Sequence, residues 1–175
     1  MGAKNEFSKA ASGLLATFSI ISLAAALAAC AIVPEKMGPA MDLSTAKEST
    51  RSQQQELMSV VPSGGVSSTV QSETSGALFE CETGGYYWPG NMDVVLSDGT
   101  DGQALLEQIR TGWSAKSGWT VQDKTSVNGN PELIVLSEEG FRHSIEFSPD
   151  RNALNVLSSS ACFQMAGTPE PGEDY

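Results

Sequence analysis

Few residues in this chain have both the side chains and the spacing for chemistry. His143 is the only imidazole, so a Ser-His-Asp relay or a general acid–base step through imidazole would have to use it. In "FRHSIEFS", Phe141, His143, Ile145 and Phe147 alternate with Arg142, Ser144, Glu146 and Ser148. That alternation puts the ring on an apolar strand face, where a hydrogen-bonded core histidine is expected rather than a base. No Gly-x-Ser-x-Gly elbow offers a nucleophile, and Ser158 to Ser160 lie on a strand beside a cysteine. Asp98 and Asp101 could offer oxygens to Ca²⁺, but "SDGTDG" lacks the ligand pattern and closing Glu of an EF-hand. A turn and a helix cap are needed at that place. Glu138 and Glu139 are neighbours on a strand end and point to opposite faces, so they cannot flank one glycosidic bond. Gly84, Gly85 and Gly90 are not followed by the Gly-Lys-Ser/Thr of a phosphate loop. Tyr86, Tyr87 and Trp88 remain as a candidate binding surface, able to stack on a sugar or anchor a partner protein; an aromatic corner over the sheet edge explains them equally well. Neither a catalytic set nor a metal set is read from the sequence.

The three cysteines have two different roles. Lys4 and Lys9 precede a stretch, Gly13 to Ala29, without a charged side chain, which is the layout of an export signal. As a helix, at ~1.5 Å per residue, it would be about 26 Å long, a little short of the roughly 30 Å hydrocarbon core. It ends in Leu27-Ala28-Ala29-Cys30, which resembles the lipobox of bacterial lipoproteins. The resemblance implies cleavage before Cys30 and a diacylglycerol on its thiol, the protein's one covalent group. Two acyl chains, at ~0.8 kcal/mol per buried methylene, hold a protein stably where one does not. No other cofactor is expected. Export places Cys81 and Cys162 in an oxidising compartment, where a pair is expected to be bridged. Such a bridge would stabilise the fold by roughly 4–5 kcal/mol in the chain-entropy model. With one histidine and no Cys-x-x-Cys, they make a poor zinc set.

Removal of residues 1–29 leaves 146 residues and takes the net charge from −11 to −12. That length suits one domain with one core. The acidity disfavours nucleic acid and anionic lipid head groups as partners. Residues 30–41, with Pro34, Gly38 and Pro39, read as the lipidated N-terminus and a flexible tether. From 42 to 165 a single domain is expected. A helix starts at the caps Asp42 and Ser44 and closes before Pro62, with Leu43, Ala46, Leu57 and Val60 near helical spacing and Thr50 and Gln53 interrupting the stripe. "VSSTVQ" and "ALFECE" read as strands, Pro89-Gly90 as a turn, and Val94 to Leu96 as a strand. Thr100 or Asp101 caps a second helix with Leu105 or Leu106, Ile109 and Trp113 on one face. "WTVQDKTSV", "ELIVLSEE", "FRHSIEFS" and "ALNVLSSSACF", separated by turn compositions, form a four-strand meander. The order α-β-β-β-α-β-β-β-β predicts a two-layer α+β domain, both helices on one face of a mostly antiparallel sheet. Residues 166–175 read as a disordered acidic tail.

The chain also resembles a group of uncharacterised actinobacterial cell-envelope lipoproteins. The resemblance rests on the lipobox, Val61-Pro62, Leu78 to Cys81, Tyr86 to Gly90, Gly118 to Val121 and Ser160 to Phe163. It implies the location, the fold and the Cys81–Cys162 pairing, and brings no activity. The expectation is a non-enzymatic binding module, lipid-anchored at the extracytoplasmic face of the cell membrane and touching another envelope protein or wall glycan. The alternative is a small wall-directed hydrolase, or an inhibitor of a wall enzyme.

Overall fold

A computed structural model describes residues 41–82 and 84–175. The expected signal, Cys30 and the tether as far as residue 40 lie outside the described residues. Helix α1 spans Leu43–Met58, and its N-cap Asp42 accepts a hydrogen bond from the Thr45 amide at 2.8 Å. Ala46, Thr50, Gln54 and Leu57 are its buried residues. Helix α2, Gly102–Ser114, is capped by Asp101, whose carboxylate accepts from the Gln103 and Ala104 amides at 3.0 Å each. Its buried stripe is Leu105, Leu106, Ile109 and Trp113. Gly102 in its first turn lies under Phe147, where a Cβ would come within 2.2 Å of the ring.

The strands are β1 (Val66–Gln71), β2 (Phe79–Glu80), β3 (Tyr86–Tyr87), β4 (Pro89–Leu96), β5 (Trp119–Thr125), β6 (Pro131–Ser137), β7 (Arg142–Ser148) and β8 (Ala153–Ser159). Six of them form an antiparallel sheet in the order β1-β4-β8-β7-β6-β5. The fold is α+β, and the four C-terminal strands are the expected meander. Alternation sends Met92, Val94 and Leu96 of β4, Leu154 and Val156 of β8, Ile145 of β7 and Leu133 and Val135 of β6 to one face. There they pack with Leu57 of α1 and the α2 stripe in one core. A second cluster at the sheet end gathers Met41, Ala46, Trp88, Phe141, Ala161, Phe163 and Tyr175. Among the described residues, no helix is long and apolar enough to cross a membrane.

Three expectations are corrected. Pro89-Gly90 is not a turn but the start of β4, paired with Ser159 and Ser158. Gly90 is needed there for close approach, because a Cβ would come within 2.4 Å of the Trp88 ring. The strand expected in "ALFECE" shrinks to Phe79–Glu80, which pairs with Tyr86–Tyr87 in a separate small hairpin. Residues 166–175 are not a loose tail. Tyr175 is buried beside Trp88, and its backbone exchanges hydrogen bonds with Ser75 at 2.6 and 2.8 Å. An aromatic ring at that position has apolar surface to bury, and this outweighs the acidity of its neighbours.

Candidate functional site

The residues with chemical potential fall in two places. The first is under α1, where His143 is completely buried. Its Nδ1 lies 2.8 Å from Ser158 Oγ and its Nε2 lies 2.8 Å from Gln53 Oε1. The surrounding bonds fix the tautomer. Gln53 Oε1 can only accept, so the ring proton sits on Nε2 and goes to Gln53; Nδ1 is then an acceptor, and Ser158 donates its hydroxyl proton to it while accepting from Gln54 Nε2 at 3.0 Å. The chain of donors continues upstream: Gln55 Nε2 donates to Gln71 Oε1 at 3.0 Å, and Gln71 Nε2 donates to Gln54 Oε1 at 2.9 Å. All bonds point one way, beginning and ending on α1 and passing through β1, β8 and β7.

The imidazole is flanked by Trp119 and Trp113, with ring centroids 6.0 and 6.4 Å away. Burial pushes its pKa down to about 4, so the ring is neutral at physiological pH. Ser158, His143 and Gln53 have the order of nucleophile, base and orienting group. A substrate carbonyl has no way to Ser158, which is itself buried and already bonded on both sides. The arrangement is a polar lock between helix and sheet. The sequence reading found the inward histidine but missed Gln54, Gln71 and Ser158. The available signal was the Gln53-Gln54-Gln55 run on a helix that had to face a strand carrying a buried imidazole.

The second place is the β2–β3 hairpin. Cys81, just after β2, is joined to Cys162, with Cα atoms 6.2 Å apart. Beside this bond Tyr86 and Phe163 exchange backbone hydrogen bonds of 2.9 and 2.8 Å. Gly85 has φ +89°, and a Cβ there would come within 2.5 Å of the Phe163 carbonyl, so glycine is required. The expected trio of aromatic residues is divided by this geometry. Trp88 is fully buried and donates its indole N–H to the Tyr175 carbonyl at 3.0 Å, so it is no part of a binding surface. Tyr86 is half-buried against the second cluster. Tyr87 instead stacks on Phe79, with centroids 5.4 Å apart and planes inclined by 17°. Phe79 is 48% exposed. It was not anticipated as a partner for Tyr87 because the sequence placed it in a longer strand of the main sheet.

The remaining candidates stay apart. Asp101 spends its carboxylate on the α2 cap, and Asp98 is exposed in the preceding turn. Among the described residues, no group of three His, Cys, Asp or Glu side chains is placed to hold a metal. Glu138 and Glu139 are exposed in the β6–β7 turn. Glu107, in a shallow cleft between α2 and β5–β6, is hydrogen-bonded by Arg110, which holds its carboxyl below the usual range. A general acid needs the opposite shift.

No protein-family model matches the chain, and no curated protein matches it. Among solved structures it is similar to the crystal structure of a DUF4853 family protein from Actinomyces odontolyticus ATCC 17982 at 2.65 Å resolution. The two share 19% identity over 73% of each chain, with a TM-score of 0.42. At that level neither a family nor a function is carried over.

Proposed function

We propose that this protein is a non-enzymatic binding module, held at the extracytoplasmic face of a bacterial cell membrane by a diacylglycerol on Cys30. The observation that carries the binding reading is the Phe79–Tyr87 stack, an aromatic platform on a hairpin that the Cys81–Cys162 bond ties to the end of the main sheet. Stiff aromatic side chains lose little entropy when they bind, and one ring edge is already in contact with water. The bridged cysteines suit the oxidising side of a membrane. The anchor rests on Leu27 to Cys30 and the uncharged stretch before them.

The two halves of the proposal are tested separately. Growth with a clickable fatty-acid analogue should label the wild-type protein and leave Cys30→Ser unlabelled; equal labelling of both rejects the anchor. For the binding half, Phe79→Ala and Tyr87→Ala should each weaken retention on purified wall glycan or cross-linking to an envelope protein in intact cells. Unchanged capture by both variants rejects the aromatic platform while leaving the anchor intact.

A further inference from the structure

Both helices pack on one face of the six-stranded sheet, and among the described residues no helix packs on the other, although Ile134 and Ala153 on that face are buried. The register places Val70, Asp93, Asn155, Glu146, Glu132 and Lys124 side by side across that open face, one residue per strand from β1 to β5. Three of these six are carboxylates. Each is oriented by a neutral donor: Asn91 and Asn155 donate to Asp93 at 2.9 and 2.7 Å, Asn130 donates to Glu146 at 2.6 Å, and the Ser144 hydroxyl donates to Glu132. The ion pairs among the described residues use Glu56, Glu107 and Asp123 and none of these three. Among the described residues the row therefore holds positioned negative charge without an ion pair; Lys124 stands opposite Glu132 at its β5 end, and Asp93 lies at the far end from it.

Aliphatic side chains surround its β1–β4–β8 end. Val70 is directly opposite Asp93, Val95 is two residues along the same strand, and Leu157 is opposite Asn91. They are 67%, 38% and 56% exposed. We infer that this face is a docking surface for a partner protein that presents a Lys or Arg among aliphatic side chains, with the cation on Asp93 and its methylene stem along Val70 and Leu157.

A long basic side chain has both the parts that this patch asks for, an apolar stem and a charged tip. A glycan would call for flat aromatic faces, and the open face carries aliphatic, amide, hydroxyl and carboxylate side chains instead, with Lys124 and Arg142 at its β5–β7 end, away from Asp93. A second copy would bring like-charged rows together, which is unfavourable. The inference does not rest on the aromatic hairpin or on the lipid anchor.

The test is selection of a random displayed peptide library on the full chain purified in detergent, followed by affinity measurement for the enriched peptides. The expected winners carry Lys or Arg flanked by Leu, Val or Ile. Their affinity should fall at least ~10-fold in Asp93→Asn and in Leu157→Ser. It should hold in Gln108→Lys, which makes the same change in net charge as Asp93→Asn but on the exposed side of α2. Near-ultraviolet circular dichroism and melting temperature show that each variant is folded, and two variants of different chemistry keep the test open if one is not. No enrichment, enrichment of peptides without a cation, or equal binding by Asp93→Asn and Gln108→Lys overturns the inference. So does a dimer in sedimentation that Leu157→Ser abolishes, or protection of the face by soluble wall glycan in place of peptide.

Discussion

Helix α2 presents Leu105, Leu106, Ile109 and Trp113 to the sheet, whereas α1 presents Ala46, Thr50, Gln54 and Leu57, two of them polar. Burying large apolar side chains stabilises the α2 contact by roughly 1.5–3 kcal/mol each, without regard to direction. The α1 contact depends on bonds that must meet end to end: Gln54 to Ser158, Ser158 to His143, His143 to Gln53. Each contributes a net ~1 kcal/mol when made, but an orphaned buried partner costs about 1–3 kcal/mol. Two helices on one face are thus held in different ways. The apolar one tolerates small slips, and the polar one fixes the register of α1 against β7 and β8 but fails as a unit.

The largest expected effect is on the apolar side. Trp113→Ala should cost about 3–5 kcal/mol in denaturant unfolding, since it removes the largest side chain of the α2 stripe. A loss under ~1 kcal/mol would mean that α2 is not held as described.

Next comes acid. The His143 pKa is about 4 in the fold against 6.5 in the unfolded chain. The unfolded state takes up the proton first, so the contribution of the neutral ring is complete above pH 6.5, falls as pH drops through the window, and is gone below about 4. The loss should reach roughly 3 kcal/mol. Carboxylates contribute to acid sensitivity too, so the measurement is the difference between wild type and His143→Leu, which should lose this component. Parallel curves for the two proteins would remove the imidazole from the lock.

Gln54→Ala should cost about 2 kcal/mol, because it removes two hydrogen bonds at once, the one donated to Ser158 and the one accepted from Gln71, while Ser158 keeps His143 and Gln71 keeps the Arg51 carbonyl. Combined with Ser158→Ala it should cost less than the sum of the two, since both changes break one chain of bonds. Additive losses would show two separate contacts. Hydrogen exchange sharpens the same point: α1 amides should exchange sooner than those of α2. The smallest effect is at the α2 cap, where Asp101→Ala should lower stability by ~1 kcal/mol in thermal unfolding.

The same contrast explains how much could be read in advance. Helix α2 was legible because its stripe is apolar and its cap is an aspartate. Strand β7 was legible because alternation alone decides which way His143 points. Helix α1 was legible as a helix, but its packing was not: glutamines look like surface until the histidine they serve is known to lie opposite them, 90 positions away in the chain. The binding surface was half legible. Composition located the aromatic residues, but which ring faces in depends on Gly90 accepting Trp88 and on Tyr175 returning to cover it. Neither is a local property. The open face was implicit in the alternation of four strands, yet its row of carboxylates depends on register across the whole sheet.

Cys81 and Cys162 are 81 positions apart. Their bond makes the stretch from β3 to β8 a closed circle of chain, with α1 and β1 trailing outside it. Val127, in the turn between β5 and β6, is fully exposed and is the natural point for a protease to cut. Such a nick opens the circle without dividing the molecule, so the two fragments should run as one band in a gel until a reductant separates them.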